Sequence, residues 1–308
     1  METSEKRMVK ILNFGSLNLD YTYDVPHFVT AGETLSSVQM RASAGGKGLN
    51  QSIAASRSGA EIYHAGAVGQ TDGGMLLEVL QDAGVDTRWI ARVPEATGHA
   101  IIQRDPAGQN CILLFSGANQ TITAEQARAV LGQFAPGDWL MLQNEISAVE
   151  QLMELAHSMG IRIAFNPSPM TEAVRTYPLH LADLLIFNEI EAAGICGVEA
   201  CAGEQLLSLL GQRFPQSQVV LTLGGAGAWY LCGETTVFQP AFSVPVTDTT
   251  GAGDTFTGYL LGGLLQKLSP AEAMRQAAAA AALAVTRQGA AGSIPEREEV
   301  QRFLQQHS

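Results

Sequence analysis

The run Thr247-Asp248-Thr249-Thr250-Gly251-Ala252-Gly253-Asp254-Thr255-Phe256-Thr257-Gly258 combines the ingredients of an anion site with an acid beside it. The apolar Tyr259-Leu260-Leu261 follows, so the run reads as a loop opening into a helix. Unpaired N–H groups and the positive end of the dipole make a helix N-terminus attractive to anions. Glycines let the backbone approach an anion without interference from Cβ atoms. Asp254 beside such a site suits a base that takes the proton of a hydroxyl attacking a phosphoryl group. The same residues also suit a plain helix cap, and this run alone does not separate the two.

Other polar residues fall where strands should end. They are Asn18 and Asp20, Asn144 and Glu145, Asn166, Asn188 and Glu191, and Thr222 with Gly224. Each one singly reads as a turn residue. Jointly they predict a polar small-molecule site at the carboxyl ends of parallel strands.

The elements that would position them follow from periodicity. Val9–Gly15, Ile62–Ala67, Trp139–Gln143, Ile161–Phe165, Leu184–Phe187 and Val219–Leu223 read as strands. Leu49–Ser58, Gly74–Asp82 and Val149–Met159 read as helices. Thr123-Ala124-Glu125-Gln126 and Ser269-Pro270-Ala271-Glu272 read as capped helix starts, the latter opening an Ala-rich helix. A polar turn is expected from Asn188. Alternating Tyr21, Tyr23 and Val25, with Ser37–Arg41 as partner, and a hairpin about Asp105-Pro106-Ala107-Gly108 predict a small separate sheet. A second hairpin joins Ala228–Leu231 to Thr236–Phe238. The βαβα rhythm implies a largely parallel sheet covered by helices.

Composition bounds the function. The chain has 308 residues, 46% hydrophobic and 16% charged, enough for a large α/β core. A net charge of −12 argues against a nucleic-acid or anionic-membrane surface. Cys111, Cys196, Cys201 and Cys232 form no CxxC pair, so a reducing cytoplasm is expected, without disulfides or structural zinc. Met1–Lys10 is charged and lacks the apolar stretch of a signal peptide. Ala277–Val285 is too short to span a bilayer.

The segments Gly45-Gly46-Lys47-Gly48-Leu49-Asn50-Gln51 and Asp248-Thr249-Thr250-Gly251-Ala252-Gly253-Asp254-Thr255-Phe256 resemble the two signatures of the ribokinase-like (PfkB) family of carbohydrate kinases. Gly117-Ala118-Asn119, Asn166-Pro167, Asn188-Glu189-Ile190-Glu191 and Thr222-Leu223-Gly224 lie between them in the family's order. Gly15–Asp20, Gly32-Glu33-Thr34 and Ala284–Ala290 are similar to segments of its ribose-phosphorylating members. The resemblance spans about Lys10 to Leu304. It implies one three-layer α/β domain over 1–308. That domain has a mostly parallel central sheet flanked by helices, and a small β-sheet lid from about 18–42 and 98–116.

The resemblance further implies ATP-dependent phosphorylation of a pentose hydroxyl, D-ribose to ribose 5-phosphate. Asp254 would be the base, and the N–H groups of Gly251, Ala252 and Gly253 would hold the charge on the transferring group. Asn18, Asp20, Gly46, Lys47, Asn50 and Glu145 would bind the sugar. Asn188, Thr222, Gly224, Gly227 and Gly253 would contact ATP, and Glu191 would meet Mg²⁺ through water. Asp248, Thr250, Ala284, Arg287, Gly289 and Ser293 would surround K⁺. A cytoplasmic homodimer packed through the lid is implied. Asn144, Gly251 and Ala278 depart from the usual pattern without breaking the catalytic set.

A kinase for deoxyribose, another sugar or a nucleoside is the nearest alternative, and a non-catalytic sugar sensor a more distant one. A Rossmann dehydrogenase is excluded, because Gly15-Ser16-Leu17-Asn18 replaces the glycine fingerprint after the first strand.

Overall fold

The computed structural model describes residues 7–199 and 202–307. The start of the Met1–Lys10 segment and Cys201 lie outside the described residues. The chain opens with β1 (Ile11–Phe14), β2 (Asn18–Asp24), β3 (Gln39–Gly45) and α1 (Lys47–Arg57). Then come β4 (Ile62–Gly69), α2 (Gly74–Asp82), β5 (Asp86–Val93), β6 (Gly98–Arg104) and β7 (Asn110–Phe115). The middle holds α3 (Ala124–Leu131), β8 (Trp139–Gln143), α4 (Val149–Ser158), β9 (Arg162–Asn166), β10 (Leu184–Asn188) and α5 (Glu189–Cys196). It ends with α6 (Gly203–Arg213), β11 (Gln218–Thr222), β12 (Gly227–Cys232), β13 (Thr235–Pro240), α7 (Ala252–Leu265), α8 (Pro270–Val285) and α9 (Arg297–Gln306).

The central sheet has nine strands in the order β13-β12-β11-β10-β9-β8-β1-β4-β5. Every neighbouring pair from β11 to β5 is parallel, and only the β11–β12 and β12–β13 pairs are antiparallel. Successive strand residues alternate between two cores. Trp139 and Met141 pack with α1, α7 and α8, while Leu140 and Leu142 pack with α3, α4, α5 and α6. The result is a three-layer α/β/α body. Because β1 has β4 on one side and β8 on the other, the order of the parallel strands reverses there. The crevice outside their carboxyl ends is where a ligand is expected.

A second, four-stranded sheet has the order β3-β2-β6-β7, with β2–β6 parallel and the other pairs antiparallel. It contains the early alternating strands and the 98–116 hairpin, as expected. Strand β3 runs on to Gly45, beyond the expected end at 42, and so delivers Gly46 and Lys47 directly into α1.

Four elements differ from the sequence reading by being present where none was read. Edge strand β5 carries Arg88 and Arg92 and is only half-buried, which hides its pattern. Asn188 opens α5 rather than a turn, through a capping box with Glu191. Helix α6 follows it, burying Leu206, Leu207 and Leu210. Helix α9 buries only Val300 and Phe303, a stripe too narrow to stand out. At α3, Thr123 alone forms the cap, accepting from the Gln126 N–H.

Candidate active site

Strands β1, β8, β9, β10 and β11 run parallel, so the residues that end them reach one rim. That rim collects Gly15–Asn18, Asn144 with Glu145, Asn166, Asn188 and Thr222. Helices α1 and α7 converge on it from one face. Their approach needs small residues: a Cβ on Gly258 would lie 2.5 Å from the Ala54 Cβ and 2.7 Å from the Gln51 carbonyl oxygen. This close crossing brings the first turn of α7 against α1, and Asp254 is nearly buried there, 7% exposed. Asn50 Nδ2 donates to Asp254 Oδ2 at 3.0 Å, and Gln51 Nε2 donates to Asp254 Oδ1 at 2.9 Å. Each carboxylate oxygen is thus held by one amide.

The Gly-Gly-Lys-Gly turn lies against the end of β1. Gly46 has φ +97°, and a Cβ there would lie 2.9 Å from the Ser16 carbonyl oxygen. The Lys47 N–H donates to Glu145 Oε2 at 3.0 Å, and the Ser16 hydroxyl donates to the same oxygen at 2.5 Å. The Lys47 side chain lines a cavity of about 220 Å³ with Asn166, Glu191, Gly251, Gly253 and Asp254. Asp254, Glu145 and Glu191 raise the pKa of Lys47 against the opposing effect of burial, so its ammonium is firmly charged.

Asn18, Asp20 and Glu145 stand on the side of the small sheet. Asn119, at the end of the β7 connection, donates to Asn18 Oδ1 at 2.8 Å and accepts from the Leu17 N–H, which fixes the Asn18 amide. Burial first, and then the nearby Glu145, push Asp20 up to about 6. Burial also raises Glu145, with Lys47 opposing. Asn50 Oδ1 is buried and has no partner within the protein, which leaves an acceptor ready for a ligand hydroxyl.

On the other side a cavity of about 520 Å³ opens. Asn188, Thr222, Thr249 and Gly253 line both cavities, so the two adjoin. Gly224 and Gly227 form one wall of the larger one, and Phe242, Val244, Ala278 and Ala282 give it an apolar lining. Glu191 is buried, its carboxylate accepting the Asn188 N–H and side-chain amide at 2.9 Å each. Burial raises its pKa, opposed by the Asn188 N–H.

The first turn of α7 begins at Gly251, whose φ is +75°. The Ala252 N–H makes a 3.3 Å turn bond to Thr249 O, so it is engaged here, whereas Gly253 lines both cavities. Asp248 knits the preceding loop together. It accepts from the Thr250 N–H and hydroxyl at 2.9 and 2.7 Å and from the Gly289 N–H at 3.0 Å. Burial alone would raise the Asp248 pKa, but these bonds outweigh it and hold it low. The Ala284 carbonyl accepts from the Arg287 N–H, and Ser293 donates to Ala290 O. The Arg287 guanidinium is turned away into an ion pair with Glu299, so only its carbonyl can face this loop.

Of the sequence-predicted residues, Lys47 and Asp254 line the smaller cavity, with Glu145 and Asn50 bonded to them, and Asn188, Thr222, Gly224, Gly227 and Gly253 line the larger one. Of the expected cation residues, Asp248, Thr250 and Gly289 are joined by hydrogen bonds in the loop leading into α7. Ser16, Asn119, Gln51 and Gln143 also shape the site. The signal for Gln51 was its place next to Asn50 in the glycine motif. Ser16 and Asn119 carried only their order in the chain.

A carboxylate fixed between an apolar nucleotide-sized cavity and a cluster of amides, acids and a lysine suits phosphoryl transfer to a polyhydroxyl acceptor. The sequence matches the pfkB family carbohydrate kinase over residues 8–297. It is 36% identical over 298 residues to a ribokinase of Haemophilus influenzae, covering 94% of this chain and 97% of that one. The fold superposes on Arabidopsis thaliana ribokinase complexed with ribose and ATP, with a TM-score of 0.85 at 29% identity. That match covers 97% of this chain and 99% of the other. A ribokinase from Cryptococcus neoformans in complex with ADP gives a TM-score of 0.84 at 32% identity, covering 96% and 99%. The chain belongs to the pfkB family of carbohydrate kinases. It is accordingly an ATP-dependent sugar kinase.

Proposed function

We propose that this chain phosphorylates D-ribose at its 5-hydroxyl, with Asp254 as the base. The observation that carries this is the Asp254 carboxylate, held on both oxygens by Asn50 and Gln51 where the two cavities adjoin. In this reading the sugar lies against Asn18, Asp20, Gly46, Lys47, Asn50 and Glu145. Four side chains with amide and carboxylate chemistry, together with the Lys47 ammonium, match a ring of hydroxyls, each of which donates and accepts. The unpartnered Asn50 Oδ1 accepts one sugar hydroxyl. Lys47 supplies positive charge beside the reacting oxygen without titrating near neutrality.

ATP places its base in the apolar cavity and its phosphates past Asn188, Thr222, Gly224 and Gly227 toward Gly253. The sugar hydroxyl gives its proton to Asp254 as its oxygen bonds to the γ-phosphorus, and the bond to ADP breaks. Free N–H groups of Gly251 and Gly253 and the α7 dipole stabilise the charge on the transferring group. The Ala252 N–H joins them by releasing its turn bond to Thr249.

The donor set fits two cations. Glu191 offers carboxylate oxygens already anchored by Asn188, which suits a Mg²⁺ met through water, and the ion would neutralise phosphate charge. Asp248, Thr250 and the carbonyls of Ala284, Arg287, Gly289 and Ser293 are all-oxygen donors suited to K⁺, which would brace the 247–253 loop.

The small sheet serves as a lid over the sugar within a single domain. Its strand β7 leaves Ile112, Leu113, Leu114 and Phe115 at 47–68% exposure, and a second copy of this chain covers them. The site of action is the cytoplasm, where ATP is available. Among the described residues, no helix is long and apolar enough to cross a membrane.

A coupled ADP-release assay over a panel of pentoses, deoxyribose and nucleosides, with and without K⁺, tests the reading. Ribose should give the highest kcat/KM. No turnover on ribose, with turnover on another acceptor, overturns the substrate. The variant Asp254→Asn should bind ribose and lose kcat by orders of magnitude.

A further inference from the structure

Beneath the base lies a fully buried chain of side chains that the reaction itself does not call for. Gln51, Gln143, Asn13, Ser52 and His64 are each at most 1% exposed. Gln143 sits at the centre. Its Nε2 donates to Gln51 Oε1 at 2.7 Å and to Asn13 Oδ1 at 3.1 Å. In one direction Gln51 Nε2 donates onward to Asp254 Oδ1 at 2.9 Å and Asn166 Oδ1 at 3.2 Å. In the other, Asn13 Nδ2 donates to the Gly48 carbonyl at 2.7 Å and Ser52 Oγ at 2.8 Å. Ser52 then meets His64 Nδ1 at 2.8 Å, and His64 Nε2 meets the Gly15 carbonyl at 3.2 Å.

The direction of every bond is forced. The Gly15 carbonyl can only accept, so His64 carries its proton on Nε2, and its bare Nδ1 accepts from Ser52. Ser52, having given its proton, can only accept from Asn13. The Asn13 oxygen must then face Gln143, and the Gln143 amide must present nitrogen to both sides. Turning any one amide over would set oxygen against oxygen among fully buried groups, the costly arrangement for buried polar groups. Gln143 Oε1 itself has no partner in the protein, so nothing rewards the turned-over state.

We propose that Gln51 is a positioning residue for Asp254. Its amide is locked nitrogen-first toward the carboxylate by Gln143, which is anchored in turn through Asn13, Ser52 and His64 to the glycine loop at the end of β1. This ties the base to the loop that carries the sugar-side residues, so that base and acceptor share one frame. The proposal rests on Asp254 being the base. Orientation of a reacting group is worth on the order of 100-fold in rate when lost by about 1 Å.

The test uses Gln51→Met and Gln143→Met, which keep length and remove the amide, singly and together. Steady-state kinetics on ribose is combined with calorimetric ribose binding. Gln51→Met should lower kcat by about 10- to 100-fold with ribose affinity within about twofold. Gln143→Met should lower it less. The double variant should be no slower than Gln51→Met alone, because Gln143 acts only through Gln51. A kcat of Gln51→Met within twofold of the unaltered enzyme overturns the proposal, as do multiplicative losses in the double variant. If Gln51→Met does not fold, Gln143→Met decides. An unchanged kcat, or a loss of ribose affinity equal to the loss of rate, overturns it. Near-normal turnover by Asp254→Asn would fault the base assignment itself, whereas loss of turnover by Asp254→Asn with an unchanged kcat for Gln51→Met overturns the positioning role alone.

Discussion

His64 lies 0% exposed behind the sheet end, and burial pulls its pKa to about 4, with the Gly15 carbonyl opposing only in part. Replacing it by leucine removes this titration and nothing else that ionises. In the unfolded chain the ring titrates near its ordinary 6.5. Between the two values the unfolded chain binds more protons than the folded one, so stability is present above 6.5 and is lost as pH falls. From pH 7 to pH 5 the unfolded ring becomes almost fully charged while the folded ring stays neutral, a loss of about 2 kcal/mol. Asp20 works the other way. Its folded value of about 6 exceeds the ordinary 3.8, so the folded state takes up a proton over the same interval and gains about 1 kcal/mol. The unaltered protein should therefore lose little net stability from these two groups. His64→Leu should lack the loss and be less acid-sensitive by about 2 kcal/mol. With a urea slope of about 3 kcal/mol per molar, that is a relative midpoint difference of about 0.7 M. Urea titrations of both proteins at pH 7 and pH 5, followed by tryptophan fluorescence, measure it. The variant will be weaker at both pH values, because Ser52 loses its acceptor, but that cost cancels in the comparison. Equal midpoint shifts for the two proteins would refute the argument that His64 is held neutral in the fold.

Because Asp20 is ionised above about 6, the KM for ribose should rise as pH falls through that value, and Asp20→Asn should have a raised KM that no longer follows pH there. Flat ribose KM between pH 7 and 5 in the unaltered enzyme would count against Asp20 as a sugar ligand. Gly258→Ala forces a methyl against Ala54 and Gln51 of α1. It should cost about 1–3 kcal/mol in thermal or urea unfolding and lower kcat more than it raises ribose KM, since Asp254 shares that helix. Leu113, 68% exposed on β7, lies on the proposed dimer face. Light scattering should give a dimer for the unaltered chain and a monomer for Leu113→Glu, and a monomer for both would remove the dimer.

Much of the fold was legible because its parallel strands are short apolar runs. Trp139–Gln143 and helix Gly74–Asp82 have the bounds that periodicity and the closing glycine set. The elements that escaped are those whose burial is partial. Strand β5 is half-exposed, and α9 turns a single narrow stripe inward. Helix α5 was hidden because Asn188 and Glu191 signal a turn and a cap with the same residue types.

For the site, residue type and chain order were enough to nominate Asp254, Lys47, Asn50 and the acids at the strand ends. Those groups need particular chemistry, and chemistry is written in the side chain. The sequence could not say how they are held. Asn50 and Gln51 are neighbours on one helix, yet each reaches a different oxygen of a carboxylate some two hundred residues away. That clamp exists only because Gly258 lets α7 close on α1. The directional chain from His64 to Gln51 likewise joins β1, α1, β4 and β8, which adjoin only once the parallel sheet has formed. Local sequence determined which groups could react. Long-range packing decided which way their hydrogen bonds point, because a buried amide takes its orientation from every partner around it.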